Sequence, residues 1–188
     1  MNEPHLDQIR APADVARRAL AVFGAWGLTT NAPREEVLEW LEESGLRRDL
    51  TPAELQFVDS ASSTTQQRIN FSWQAERIAV LLWALRLLEE MPDADVQCDT
   101  SAFQDLLPPF TEESPDAFVA RAVLRSEREL LEYSQSALDL HSWARDAKRR
   151  TVEPKHPVDL EVIQERHHAI NWITGYEGLS WDEVTTDT

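Results

Sequence analysis

Apolar residues recur along much of the chain at the three- and four-residue spacing of one helix face. In residues 12–27 they are Val15, Ala19, Val22 and Trp26. Gly27 then ends the pattern, as glycine commonly does after the last helical turn. Residues 33–45 show a shorter version that begins with a proline and ends at Gly45. The pattern predicts two amphipathic helices within this part of the chain.

The longest apolar run is IAVLLWALRLL, residues 78–88, and it belongs to a helix predicted over about residues 65–90. This half of the helix is apolar almost all round, which is typical of a central helix against which others pack. As a helix the run would measure roughly 16 Å, about half the thickness of a bilayer core. Arg86 also interrupts it. We therefore predict a buried helix and not a membrane span. Just before it, Thr51 and Glu54 have capping-box spacing, which predicts another helix start.

The helical periodicity fails over residues 91–116, where prolines and aspartates predict a loop with one short helix around residues 101–106. Two further helices are predicted, over about residues 115–150 and 158–174. No segment alternates apolar and polar residues over the length of a strand, and no repeat or linker divides the chain.

The predicted fold class is therefore all-α. We expect a single compact bundle of six or seven helices around the central apolar helix, about 65–90. One helical domain would span residues 1–188, with residues 1–11 loosely ordered and 91–116 forming a Pro-rich loop within it.

Charge narrows the classes of partner. The chain carries 34 acidic and 18 basic residues, a formal net charge of −16. Such a surface repels phosphate backbones and anionic lipid headgroups, so we expect neither nucleic acid nor a membrane as a partner. A basic protein is the partner that this charge favours.

Cysteine content and the N-terminus carry less information. The single cysteine, Cys98, cannot form an internal disulfide or a structural zinc site. We therefore predict no metal and no cofactor. The start of the chain, MNEPHLDQIR, lacks the charged-then-apolar pattern of a signal peptide, which favours a cytoplasmic location.

Arg166 is the first candidate for a functional role. It shares one helix face with Ile163, Ile170 and Ile173. A buried guanidinium is costly unless it is paired, so a partner carboxylate is implied. Glu76 is the natural candidate, because it shares a face of the apolar helix with Ala79, Val80 and Trp83. We favour a structural ion pair that fixes how two helices pack over a catalytic pair.

His141 is the second candidate, because it lies on an apolar stripe with Leu130, Ala137, Leu138 and Ala144. It could act as a general base or in a proton relay with Asp139 or Asp146. The alternative, which we favour, is a core histidine whose ring nitrogens bond to a carboxylate or carbonyl, because no nucleophile or metal constellation accompanies it. The neighbouring residues His167 and His168 point about 100° apart around their helix, so we do not expect them to hold one metal together.

Arg121, Arg125 and Arg128 form the third candidate, at i, i+4 and i+7 of the predicted helix. Three guanidinium groups in line could bind a carboxylate or a phosphate. They could equally pair with the acids of this chain, including Glu129 and Glu132, and we favour this second interpretation.

Five stretches occur in a characteristic order between about residues 17 and 188: EWLEESGLRRDLTPAE, WQAERIAVLLWAL, LHSWARDA, ERHHAINWI and WDEVTTDT. Together they resemble the bacterial family labelled domain of unknown function 4272. The matching positions are Trp73, Glu76, His141, Trp143, Arg145, Glu165, Arg166, Asn171, Trp172, Trp181, Asp182, Asp187 and Thr188. Gln74 stands where the family pattern has a basic residue, so a ligand contact made by that residue would be lost here.

The resemblance implies a compact helical fold and no particular activity. It also implies a structural polar cluster made of Glu76, His141, Arg145, Glu165, Arg166, Asn171, Asp182 and Asp187. Three of these, Glu76, His141 and Arg166, are the residues that helical spacing also selects.

The C-terminal stretch GLSWDEVTTDT contains an indole, which a disordered segment does not need. We call residues 179–188 the tail. Ser180 and Glu183 have capping-box spacing, so Trp181 could dock on the body of the fold while Asp182 and Asp187 reach surface arginines. The alternative is that the terminal acids line a pocket with Arg166 or Arg145. We favour the docked tail, because chain ends are loose unless something holds them.

Two functions remain open. The first is a binding protein, similar to an immunity protein, whose acidic surface selects a basic partner through acids placed around Trp26 or Trp40. The second is a hydrolase or small-ligand-binding domain that uses Glu76, His141 and Arg166. We favour the first, because the sequence shows no phosphate-binding loop, metal-binding pair or nucleophile motif. The sequence does not determine the oligomeric state, and a homo-oligomer is compatible with it.

Overall fold

The computed structural model describes residues 8–152, 154 and 156–187, and every regular element within them is helical. The α-helices are α1 (Pro12–Gly27), α2 (Arg34–Glu43), α3 (Pro52–Asp59), α4 (Thr65–Ser72), α5 (Gln74–Ala84), α6 (Ala102–Leu106), α7 (Pro115–Ala120), α8 (Glu127–Arg150) and α9 (Leu160–Thr174). Short 3₁₀ turns cover Leu46–Asp49 and Tyr176–Gly178. The predicted all-α fold is confirmed, with more and shorter helices than predicted.

Helix α5 lies between α1 and α9, and α8 packs along the other side of α9. Of the eleven residues of α5, all but Gln74 and Arg77 are buried. The apolar run accounts for this burial, since Val, Leu and Ile side chains leave water on every side of the helix. Glu76 is the charged residue in the buried part, so it requires a partner.

The single helix predicted over residues 65–90 is wrong in two respects: it is divided in the middle, and it ends early. A turn at Trp73 separates α4 from α5, and α5 ends at Ala84. Arg86 then adopts a left-handed conformation with φ of 62°. The Leu87 amide donates to the Leu82 carbonyl at 2.9 Å, and the Arg86 amide to the Trp83 carbonyl at 3.0 Å. These two bonds make a Schellman motif, in which the left-handed residue is usually glycine. Because arginine stands there in this chain, the sequence did not indicate that the helix ends at this point.

The helix predicted over 115–150 is also divided. Helix α7 ends at Ala120, and α8 begins after Ser126, whose capping box with Glu129 is complete. Between them Arg125 is bonded to the end of α5: its amide donates to the Ala84 carbonyl at 2.8 Å and its Nε to the Trp83 carbonyl at 2.8 Å. Arg125 therefore supplies donors to carbonyls at the end of α5, and the chain around it is not helical between α7 and α8.

Arg121, Arg125 and Arg128 consequently do not line up on one helix face. Arg121 bonds to Glu113 through two nitrogens, at 2.6 and 2.7 Å, and Arg128 pairs with Glu132 at 3.3 Å. Arg125 pairs with Glu129 at 3.2 Å. The predicted pairing with neighbouring acids is present at Glu129 and Glu132.

The N-terminal segment predicted to be loosely ordered is bonded to the end of α9 through Arg10, and residues 1–7 lie outside the described residues. The Arg10 amide donates to the Ile173 carbonyl at 2.9 Å, and its Nε donates to the Trp172 carbonyl at 3.1 Å. Gly175 is required here: its φ is 80°, and a Cβ at this position would lie 2.1 Å from the Gln8 carbonyl oxygen.

The region predicted as a Pro-rich loop, 91–116, is irregular except for α6 and the first two residues of α7, and α6 agrees with the short helix expected there. Phe103 and Leu107 anchor it in the core. Within the described part of the chain, no helix combines the length and the apolar character needed to cross a bilayer.

Candidate functional site

The predicted ion pair between α5 and α9 is present. Arg166 Nε donates to Glu76 Oε2 at 2.8 Å. Both residues are almost completely buried, with 1% of Arg166 and 2% of Glu76 exposed. In such an environment the attraction between the two charges is weakly screened, and each compensates the desolvation of the other.

The same pair binds the segment that follows α5. Arg166 Nη1 donates to the Pro92 carbonyl at 2.7 Å and Nη2 to the Val96 carbonyl at 2.7 Å. Glu76 Oε1 accepts from the Cys98 amide at 2.8 Å. Both carboxylate oxygens of Glu76 therefore have protein donors, and the pair holds the loop against the core. Burial, followed by the nearby Glu76 charge, raises the pKa of the Cys98 thiol, so this cysteine stays protonated.

His141 does not join this pair. Its Nδ1 lies 3.0 Å from Nδ1 of His167, and both residues are buried. The predicted carboxylate or carbonyl partner is therefore replaced by a second imidazole, and the two rings must carry different tautomers, one donating and one accepting. Burial, followed by Arg145, lowers the pKa of His141, and burial, followed by His141, lowers the pKa of His167 to about 4. Both rings are therefore neutral at pH 7.

His168 belongs to a further group. Arg77 Nη1 lies 3.1 Å from His168 Nε2, and Arg77 also pairs with Glu165. Because arginine can only donate, Nε2 must accept, which assigns a neutral ring protonated on Nδ1. Burial, followed by Arg77, lowers the pKa of His168 to about 3. The Trp181 ring packs edge-on against His168 with the ring centres 5.0 Å apart.

The remaining residues of the expected cluster are dispersed. Asn171 Nδ2 donates to the Thr185 carbonyl at 3.2 Å, and Asp182 accepts from the Ala53 amide at 3.3 Å. Arg145 and Asp187 lie at the surface. The eight residues therefore form several separate contacts, and the terminal acids do not gather with Arg166.

Sequence reasoning missed a second buried ion pair. Arg18 Nη2 donates to Glu54 Oε2 at 2.6 Å, and both side chains are buried. The sequence does indicate that Arg18 is buried, because it lies three residues after Val15 and four before Val22 on the apolar face of α1. It is the same signal that selected Arg166.

An aromatic groove opens between α1, α2 and the segment around α6. It encloses about 650 Å³. Four aromatic side chains line it: Phe23, Trp26, Trp40 and Phe110. Phe23 contacts the other three, with ring centres 5.8 to 6.3 Å apart, and also contacts the buried Phe103 at 6.5 Å. Phe110 is 56% exposed, although it is a large apolar side chain. Exposed aromatic rings over an enclosed volume are typical of a binding surface.

The rim of the groove is acidic. Glu36 and Asp99 line it and are exposed to solvent. Hydrogen bonds from Ser101 lower the pKa of Asp99, so this carboxylate is charged at neutral pH. Among the described residues that line the groove, none is a lysine, arginine or histidine. The site therefore combines π faces with negative charge, which is the arrangement that attracts a cation.

The neutral buried histidines make stability depend on pH. Their pKa values are lowered to about 4 for His167 and about 3 for His168, against an ordinary value of 6.5 in the unfolded chain. Below pH 6.5 the unfolded state binds more protons, so this stabilisation is present above pH 6.5 and is lost as the pH falls towards these values. We expect the free energy of unfolding to fall by about 1 kcal/mol per histidine between pH 6.5 and 5.5.

Urea unfolding across this pH range measures the effect. His168→Gln should remove about 1 kcal/mol of the change between pH 6.5 and 5.5, because it removes one of the buried neutral rings. A pH dependence that is identical in the wild type and the His168→Gln variant would contradict the assignment.

The comparisons with known proteins identify a family and no activity. No curated protein and no solved structure shows significant similarity to the chain. The family model described as Domain of unknown function (DUF4272) matches residues 1–184 and thus nearly the whole chain. The chain therefore belongs to the DUF4272 family.

Proposed function

We propose that this protein is a binding protein for a basic protein partner, which it holds at the aromatic groove between α1, α2 and α6. The observation that carries the proposal is the groove itself, a volume of about 650 Å³ lined by aromatic side chains, with Glu36 and Asp99 at its rim. Trp26 and Trp40, the two anchors expected from the sequence, both line it. Tryptophan and other aromatic side chains in desolvated pockets dominate the energetics of protein interfaces.

Charge supports the same partner. The formal net charge of −16 attracts a basic protein over long range, and the acidic rim orients it at short range. The same charge disfavours nucleic acid and anionic membranes, which present like charges. We expect association to slow as the ionic strength rises, since salt screens long-range attraction.

The catalytic alternative has less support. It needs Glu76, His141 and Arg166 in one cavity that water can enter. Glu76 and Arg166 instead satisfy each other and the backbone of the following loop, and His141 faces His167. Structural pairing accounts for these contacts without a substrate.

Pull-down experiments with groove variants test the proposal. Phe110→Ala and Glu36→Gln, combined, should weaken capture of a basic partner at least tenfold, because they remove an aromatic anchor and a rim charge. Their matched control combines Trp143→Ala and Glu39→Gln, which change an exposed aromatic residue and an exposed acid outside the groove.

The proposal fails if no basic protein is enriched even at low salt. It also fails if the groove variant and the control variant capture the partner equally. Thermal unfolding of both variants checks that the fold is retained, since all four substituted side chains are exposed.

A further inference from the structure

A second surface cavity adjoins the aromatic groove. It encloses about 380 Å³ and is lined by Trp26, Thr29, Thr30, Ile69, Ser72, Trp73, Ala75, Glu76, Gln97, Cys98 and Thr100. Three of these residues, Trp26, Thr30 and Thr100, also line the groove. The two volumes therefore meet at Trp26. We call the second one the Ile69 cavity.

The Ile69 cavity differs from the groove in its charge. Arg68 stands beside it and donates through Nη2 to the carbonyls of Thr29 and Thr30, at 3.2 and 3.4 Å. The carboxylate that lines it, Glu76, is already neutralised by Arg166 at 2.8 Å. A second cation is therefore disfavoured here, whereas Ile69 and Trp73 offer apolar surface.

Resting on the proposed function, we infer that the two cavities together accept one extended peptide segment of the basic partner, laid across Trp26. A cationic side chain of the segment occupies the groove, near Glu36 and Asp99, and an apolar side chain occupies the Ile69 cavity. In an extended chain, residues i and i+2 point to the same side and lie about 7 Å apart. Because the two cavities share Trp26, Thr30 and Thr100, the shortest segment that can place one side chain in each has the pattern cation–any residue–apolar, in one chain direction or the other.

The polar residues between the two cavities suit such an occupant. Thr30 and Thr100 are shared by both, and Ser101 and Gln97 lie on either side. The Thr30 hydroxyl already donates to the Gly27 carbonyl at 2.7 Å and the Ser101 hydroxyl to Asp99 at 2.7 Å, so these two oxygens can only accept from the amides of an extended segment. The Gln97 amide group can both donate to and accept from its unpaired backbone groups. A helix on the surface of the partner would have these backbone groups already paired.

Synthetic peptides test the inference directly. The parent probes are acetylated, amidated Gly-Ser-Gly-Arg-Gly-Leu-Gly-Ser-Gly and its reversed form, Gly-Ser-Gly-Leu-Gly-Arg-Gly-Ser-Gly, with binding followed by tryptophan fluorescence at physiological salt. In the form that binds, Arg→Gln should weaken binding at least tenfold, and Leu→Gly or Leu→Arg should each weaken it several-fold. The all-Gly/Ser peptide is the blank.

Protein variants assign each side chain to its cavity. Ile69→Ser, at an exposed position, should abolish the preference for Leu over Gly and keep the preference for Arg over Gln. Glu36→Gln, which removes a rim charge beside the cationic side chain, should reduce the preference for Arg over Gln and keep the preference for Leu over Gly. Both substituted residues are exposed, so the melting temperature should be unchanged and serves as the check on folding.

Three results overturn the inference. One is that neither parent peptide binds while the intact basic partner is captured. Another is that an Arg-only peptide binds as tightly as the better parent. The third is an Ile69→Ser variant that still prefers Leu. Each of these leaves the basic partner and its dependence on the groove in place. The proposed function fails instead if the pull-down enriches no basic protein, or if the groove and control variants capture the partner equally.

Discussion

Replacing Arg166 by Met is expected to lower the free energy of unfolding by about 3–5 kcal/mol. The methionine fills a similar volume, so the loss is mainly electrostatic: the Glu76 carboxylate would remain buried without its cation. The carbonyls of Pro92 and Val96 would also lose their donors. Equilibrium unfolding in urea, with circular dichroism as the probe, measures the change.

The double variant Glu76→Leu with Arg166→Met separates these two contributions. Removing both charges eliminates the unpaired carboxylate and should recover part of the stability. Recovery should stay incomplete, because the loop carbonyls and the Cys98 amide still lack their partners, at about 1–3 kcal/mol for each buried group left unsatisfied. A double variant as stable as the wild type would mean that the loop contacts contribute nothing.

Arg128→Met is the matched control for the single substitution. Arg128 is 79% exposed at side-chain level and pairs with Glu132 at 3.3 Å. An exposed pair of this kind contributes at most about 1 kcal/mol. If Arg166→Met proves as mild as Arg128→Met, the Glu76–Arg166 pair does not hold α5, α9 and the loop together.

Deleting the tail, residues 179–188, is expected to lower the melting temperature by about 6 °C or more. Trp181 is 4% exposed, and its loss is comparable to a buried Trp→Ala substitution, about 3–5 kcal/mol. For a chain of this length, 1 kcal/mol corresponds to about 2–4 °C. Differential scanning calorimetry of the truncated chain measures the shift.

The contacts of Trp181 explain the size of this effect. Its ring meets Trp172 edge-on with centres 5.2 Å apart, and the Arg18 and Arg77 guanidinium carbons lie 5.1 and 5.7 Å from its centre. Removing the indole exposes both arginines and the end of α9 to water. Trp181→Ala alone should therefore account for most of the loss.

A shorter truncation provides the control. Ending the chain after Thr185 removes Asp187, which lies at the surface, and retains Trp181 and Val184. This change should shift the melting temperature by less than about 2 °C. The tail does not stabilise the body of the fold if both truncations shift the melting temperature equally. The same conclusion follows if deleting residues 179–188 leaves the melting temperature unchanged.

Sequence reasoning succeeded where the cause is local. The capping box at Thr51 forms as predicted, with the Glu54 amide donating to Thr51 Oγ1 at 3.2 Å and the Thr51 amide to Glu54 Oε2 at 2.9 Å. The pairing of Arg166 with Glu76 could also be predicted, because helical periodicity places each charge on a face that must leave water.

It failed where a distant segment supplies the partner. The carbonyls of Trp83 and Ala84 at the end of α5 accept from Arg125, which is 41 residues further along the chain than Ala84. The His141 ring could have faced any acid or carbonyl, and only the packing of α8 on α9 selects His167.

By itself the sequence determined the helical class, several helix starts, the buried charges that need a partner and the acidic balance of the chain, because these depend on residue spacing and composition. The tertiary structure decided where the helices stop and which histidines meet. It also decided that Trp26, Trp40 and Phe110 enclose one groove. These properties depend on how separate helices pack, and the free energy of packing is a sum over contacts that are distant in the chain.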